Sequence, residues 1–319
     1  HGAGFLHAAN KCKVKPDIIS CTSGMIYWVY RYLENGDIEK EIKDQIENAY
    51  WYPRELSWLN WMRYMTSGIS GVFRPAIPEY FFFFFSPWNL NSPKEWYNRL
   101  CPAQCFVSTK DEQFFHNIVE TFNNKTDIGV VFNVFEPRTA TSYLHINQSA
   151  VKFMGKNYED TDGRVIYKPI DAESVKNALW LYLYGFGNQE KVDGCYHRQI
   201  ILRELHNADV IYAVRPQAEK WIGDMPANMM ELRDFEIEMW FNSSYASEVA
   251  GIETINKMID ENVIQKGTAK PNGSGAFHKI QVIPVEIGVN NSFFDYFVER
   301  NEIYDQAFKI SLDVLEKGS

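Results

Sequence analysis

The stretch Pro16-Asp17-Ile18-Ile19-Ser20-Cys21-Thr22-Ser23-Gly24, with a helix pattern starting straight after it, constrains this chain more than any other feature. Residues 16–20 read as a short buried strand introduced by a proline. Ile26, Val29, Tyr30 and Leu33 then recur at the spacing that puts them on one helix face. Asn35-Gly36 supplies the stop signal. A strand, a tight turn and a helix follow one another with no room for a flexible loop, which predicts an α/β unit. A serine at such a corner has its hydroxyl pushed clear of the backbone. The next amide, that of Gly24, opens a helix and can donate to a developing oxyanion. The same position also suits an ordinary N-cap serine, so the turn alone leaves both roles open for Ser23.

Further along, residues 128–134 (IGVVFNV) and 142–146 read as strands separated by a turn at Glu136-Pro137-Arg138. Asp171 caps a helix carrying Val175, Ala178, Leu179 and Tyr182, expected to end near Gly185. A glycine-rich loop leads to Val192-Asp193-Gly194, and 210–214 and 280–287 read as further buried strands. Residues 37–126 read as a mostly helical, aromatic-rich stretch, and 266–275 as a polar loop. No internal repeat or linker stands out, so a single domain over 1–319 is expected, with 37–126 as an insertion or lid-like segment.

Composition narrows the function classes. Of 319 residues, 45% are hydrophobic and 23% charged, ordinary values for a globular chain. The net charge of −9 sets the molecule against phosphate backbones, so nucleic acid is not an expected partner. Five scattered cysteines point away from a disulfide framework and toward a reducing, cytoplasmic setting. Cys101 and Cys105 have no second Cys or His pair at zinc spacing, so no metal is expected, and nothing implies a cofactor. No apolar run approaches the length that spans a bilayer. Aromatics are abundant, at 15% with 22 Phe. The run Tyr80-Phe81-Phe82-Phe83-Phe84-Phe85 cannot fit on one face of a helix or strand. Some of these rings belong to a core, and Phe83 and Phe84 are the candidates for an acyl-chain wall. Contact with a lipid surface through such a segment is a further option, although basic residues flanking it are sparse.

Two blocks of the chain resemble the patatin-like phospholipases. Gly4-Phe5-Leu6-His7-Ala8, followed by Pro16-Asp17 and Thr22-Ser23-Gly24, is similar to the family's opening helix, "PD" strand and G-T-S-x-G elbow. Cys21 stands at the first glycine of that elbow and Met25 at the last. The second block, Lys191-Val192-Asp193-Gly194-Cys195 with its preceding helix and the strand 208–216, is similar to the family's D-G-[GA] motif and its surroundings. The resemblance covers 4–35 and 165–216 well, 128–147 plausibly and 37–126 weakly. It implies an α/β patatin-like fold with a mostly parallel central sheet flanked by helices. The implied activity is lipid acyl ester hydrolysis, of phospholipase or lysophospholipase type, through an acyl-serine.

In that scheme Ser23 is the nucleophile and Asp193 its proton acceptor, without a histidine. Backbone amides of Gly24 and of a glycine-rich loop form the oxyanion hole. Aligned through Gly4, that loop falls largely ahead of His1, leaving Gly2 and Gly4 as its candidates here. Rival arrangements are a Ser-His-Asp triad through His197 or His206, Asp162-Gly163 as the D-G pair, and a non-catalytic acyl-binding protein of the same fold. Head group, chain length, regiochemistry and oligomeric state are not legible in the sequence.

Overall fold

A computed structural model describes residues 1–48, 72–77, 80, 92–100, 104–186, 189–216, 218, 220–222, 224–270, 275–286 and 301–318. In chain order its helices are α1 (Gly2–Lys11), α2 (Met25–Leu33), α3 (Ile38–Asn48), α4 (Pro93–Leu100), α5 (Glu112–Asn124), α6 (Gln148–Met154), α7 (Ala172–Ala178), α8 (Met229–Asp260) and α9 (Asn301–Gly318). The strands are β1 (Ile18–Cys21), β2 (Phe73–Pro75), β3 (Phe106–Ser108), β4 (Gly129–Glu136), β5 (Thr141–Ile146), β6 (Thr161–Asp162), β7 (Val165–Pro169), β8 (Val192–Asp193), β9 (Val210–Arg215) and β10 (Gln281–Glu286).

The fold is α/β, with a mixed central sheet flanked by helices. Its strand order is β1-β4-β5-β7-β6, and β8 also pairs with β4. Pairing is parallel for β1 with β4 and for β5 with β7. The outlying β9–β10 ribbon is parallel too. The β4–β5 hairpin is antiparallel, because a turn as short as 137–140, with Ala140 at φ 52°, can only reverse the chain. β4 organises both faces. Its first six residues are buried, as expected for a strand covered on both sides. Side chains alternate along a strand, so Val130, Phe132 and Val134 enter a core shared with α2, α5 and α7, including Val29, Ile118 and Val175. Val131 points the other way, into a second core with Leu144, Ile146, Ile211 and Ile252.

Local chemistry sets the helix ends. Asp111 and Asn147 cap α5 and α6 through their side chains. Asp171 opens α7 with a capping box: its carboxylate accepts from Ser174 N at 2.7 Å, and the Ser174 hydroxyl accepts from Asp171 N at 3.0 Å. The helix begun there stops at Ala178, short of the expected end near Gly185. The Trp180 carbonyl turns aside to accept a 2.9 Å hydrogen bond from Asp193 N, and only a single 3-10 turn follows at Tyr182–Tyr184. The stretch 37–126, expected to be mostly helical, also contains the antiparallel pair β2–β3 among its described residues. No helix of the described residues is long and apolar enough to cross a membrane.

A buried ion cluster fastens α8 to the body. Arg198 forks onto Glu204 at 2.7 and 2.8 Å and onto Glu248 of α8 at 2.9 Å, while Glu248 also accepts from the amides of Leu202 and Arg203. Burial alone would raise the Glu204 pKa, but Arg198 outweighs it and holds the carboxyl below its usual value. Removing one member strands its partners without water. Glu248→Ala is expected to lower the free energy of unfolding by roughly 3–5 kcal/mol, read from the midpoint of urea denaturation.

Candidate active site

At the end of β1 the chain passes through Thr22 into Ser23, which sits at φ 59°, in the left-handed region. A side chain there costs on the order of 1–3 kcal/mol, and the surrounding structure has to impose it. Among the described residues five other non-glycine residues share a positive φ, each in a turn; of the six, Ser23 alone lies where a strand runs into a helix. Helix α2 winds directly on this corner: Met25 N donates to Thr22 O at 3.2 Å and Ile26 N to Ser23 O at 3.0 Å. The amide of Gly24 therefore stands ahead of the first bonded turn, at the positive end of the helix. Ser23 is half-buried and reaches a cavity.

The sheet register brings Asp193 to this corner. β5 occupies one edge of β4, and β1 and β8 lie end to end on the other. Cys21 is opposite Phe132 and Asp193 is opposite Val134, two residues further along β4. At the rise of an extended strand this is about 6.6 Å, so the chain turns at Thr22-Ser23 where Asp193 comes alongside. Two groups orient Asp193: its amide donates to Trp180 O, and its Oδ1 accepts from Cys195 N at 2.9 Å. Oδ2 is buried and has no partner in good hydrogen-bonding geometry. Burial pushes the carboxyl pKa up to about 7, and the Ser23 hydroxyl and the Cys195 amide pull the other way. The Ser23 hydroxyl is thus close enough to favour the charged carboxylate, although Oδ2 makes no hydrogen bond. The Cys195 thiol lies against the same carboxyl. Burial and that negative charge raise its pKa well above the ordinary value, so it remains a protonated thiol.

Gly194 is required by its surroundings. A methyl group on it would overlap the side chain of Asn133, which β4 places between the registers of Cys21 and Asp193. Asn133 is fully buried, and its Nδ2 donates to Arg198 O at 2.8 Å, closing the loop that follows Asp193. Sequence reasoning did not single out Asn133. Its signal was a lone amide within an otherwise apolar strand, since such a buried group needs a partner.

Gly2 and Gly4 take different positions. The first backbone bond of α1 runs from Phe5 N to His1 O, so the amides of Gly2, Ala3 and Gly4 precede it. A methyl on Gly2 would overlap the Met25 thioether, so the first turns of α1 and α2 meet beside Ser23. Gly4 faces away, toward α9: a methyl there would lie 2.8 Å from Phe308 N and 2.9 Å from Ala307 Cβ. It serves close helix packing. The cavity measures about 630 Å³, and Ser23, Gly24, Met25, Tyr196 and Trp240 are among its walls. Tyr182, Tyr196 and Trp240 form an aromatic chain with ring separations of 4.3 and 5.9 Å. Tyr182 and Trp240 remain 43% and 45% exposed. Phe83 and Phe84 lie outside the described residues.

His197, His206 and Asp162 are not among the residues lining this cavity. His197 stacks on Phe135 with centroids 4.5 Å apart, and burial, helped by nearby arginines, lowers its pKa. His206 meets the Arg203 carbonyl at 3.3 Å. Asp162 is exposed on β6, 3.8 Å from Lys156. Among the described residues no cluster of three or more His, Cys, Asp or Glu could hold a metal ion. No family model matches the chain, and a search of curated proteins finds no match.

The raised Asp193 pKa has a thermodynamic signature. The native fold prefers the protonated carboxyl, so this residue's contribution is fully present below the unfolded pKa near 4 and is lost as pH rises through about 7. The loss is on the order of 3–5 kcal/mol. Asp193→Asn is therefore expected to raise the melting temperature at pH 8, with the gain shrinking toward pH 4 in calorimetric scans.

Proposed function

We propose that this chain is a serine-dependent acyl ester hydrolase of the patatin-like kind, acting on a lipid ester of phospholipase or lysophospholipase class. The observation that carries the reading is the pairing of a strained, left-handed Ser23 with a fully buried carboxyl whose pKa is raised to about 7. A group that titrates near neutrality can take a proton and return it, which is what a two-residue mechanism asks of its acid–base partner.

Ser23 Oγ attacks the ester carbonyl as Asp193 Oδ2 accepts its proton. The carbonyl oxygen, now negative, accepts from the Gly24 amide and from the first-turn amides of α1, Gly2 among them. Collapse breaks the ester C–O bond, and the alcohol leaves with the proton held by Asp193. A water molecule then gives a proton to Asp193 and attacks the acyl-Ser23. The acid is released and the serine restored with that same proton. The aromatic wall suits an acyl chain, and half-exposed Tyr182 and Trp240 suit brief contact with a lipid surface. The net charge favours a neutral or zwitterionic surface over an anionic one.

Ser23→Ala and Asp193→Asn are each expected to lower kcat on p-nitrophenyl esters by roughly 10³-fold or more, with His197→Ala within a few-fold of the parent. In the parent protein kcat/KM should rise with pH and level off above about 7, where Asp193 is ionised. A fluorophosphonate should label Ser23. The competing non-catalytic reading draws on Met25, whose thioether crowds the first turn of α1. Retained fatty-acid binding without labelling would favour that alternative.

A further inference from the structure

Strand β9 ends on a charge inside the protein. Its alternate residues Ile211, Ala213 and Arg215 are buried. Ile211 shares a core with Tyr245, Val249 and Ile252, which recur at helical spacing on α8. Arg215 meets the same helix: Nη1 donates to Asn242 Oδ1 at 3.0 Å, and the guanidinium lies 3.6 Å from the centre of the Tyr245 ring. Nη2 donates to the carboxylate of Glu286, the residue opposite Arg215 in the β9–β10 register. The charge is thus answered, but the hydrogen bonding is incomplete, because Nε is buried and has no partner. Arg215 is only 2% exposed, so bulk solvent does not reach this donor.

Arg215 is also one of the residues lining the cavity that contains Ser23, together with Tyr196 and Trp240. A buried N–H without an acceptor costs free energy, and a ligand oxygen in the cavity is the acceptor that would offset it. Formal charge decides which kind of oxygen. The Arg215–Glu286 pair is already neutral, so an anion placed on Arg215 would leave one uncompensated negative charge beside Glu286 in a poorly solvated place. A carbonyl or hydroxyl oxygen fills the donor without adding charge.

We propose that Arg215 is a specificity-determining residue, whose Nε–H donates to an uncharged oxygen of the ligand other than the carbonyl attacked by Ser23. Such an oxygen is a second ester carbonyl or a free hydroxyl on the alcohol part, so the cavity favours acyl esters of a polyol over simple alkyl esters. The proposal takes the ester nature of the ligand from the hydrolase reading; the unpaired donor rests on the hydrogen bonds around Arg215 alone.

The test measures binding, so it does not depend on turnover. In a Ser23→Ala background, Nile red is displaced by decanoate esters that differ only in the alcohol. Methyl decanoate has no second oxygen group, hydroxyethyl decanoate adds a hydroxyl, acetoxyethyl decanoate a carbonyl and phosphoethyl decanoate an anion. The hydroxyl or carbonyl ester should bind roughly tenfold more tightly than the methyl ester, and the tighter of the two identifies the oxygen. Arg215→Lys keeps a positive charge beside Glu286 but lacks Nε. Arg215→Met combined with Glu286→Gln removes the pair together and strands neither charge. Both should lose the preference while holding methyl decanoate within a few-fold of the parent, and thermal scans check that they fold. Equal affinities in the parent overturn the proposal whatever the variants do, as does tightest binding of the phosphate ester or no displacement at all. A preference that survives both changes, or equal weakening of all four ligands, also overturns it. Absence of fluorophosphonate labelling at Ser23 in the unsubstituted protein would sink the hydrolase reading alone, and the preference among neutral ligands would still stand.

Discussion

The structure depends on one edge of one strand. β4 accepts β5 along one side and, along the other, β1 and then β8. Residues about 170 positions apart in sequence are thereby held at neighbouring registers of the same backbone ladder. Ladder hydrogen bonds, not side-chain contacts, fix the distance between the corner at Ser23 and the carboxyl at Asp193. Burial on both faces of β4 makes slippage costly, since a one-residue shift would exchange the two cores. A rigid scaffold of this kind can hold a strained serine and a dry carboxyl near each other, two features that each oppose stability.

The same geometry explains how the site distributes its polar groups. Asp193 has its amide and one carboxylate oxygen engaged by backbone, which fixes its orientation and leaves the second oxygen uncommitted. Asn133 occupies the space that glycine leaves at 194 and secures the following loop through the Arg198 carbonyl. The Arg198 side chain then ties that loop to α8, whose Trp240 forms part of the cavity wall. Acid, loop and wall are therefore connected through a few short-range contacts.

Much of this was legible in the sequence, for physical reasons that differ from place to place. The elbow was visible because proline, an apolar run and a helical repeat follow one another with no slack around Ser23. The Asp171 cap was visible because a short side chain at a helix start has few other uses. Asp193-Gly194 was visible only through resemblance, since an isolated Asp-Gly is an ordinary turn signal; its need for glycine became clear once Asn133 was in view. The early end of α7 was hidden because the competing hydrogen bond from Asp193 to Trp180 is non-local. The aromatic wall of Tyr182, Tyr196 and Trp240 was hidden for a similar reason: three separate segments supply it, with no common period. Gly2 and Gly4 read alike in sequence and part company only when α9 is seen packed on one of them.

The left-handed backbone at Ser23 also governs which replacements this position can tolerate. Threonine offers the same hydroxyl, yet its branched Cβ is poorly accommodated at positive φ, so a chemically conservative exchange is opposed by the main chain. Glycine and asparagine relax that conformation most readily, and neither carries a hydroxyl. Selection for thermal robustness alone would therefore push this corner toward residues unable to attack an ester. A serine at this corner is a choice that folding energetics would not make unaided.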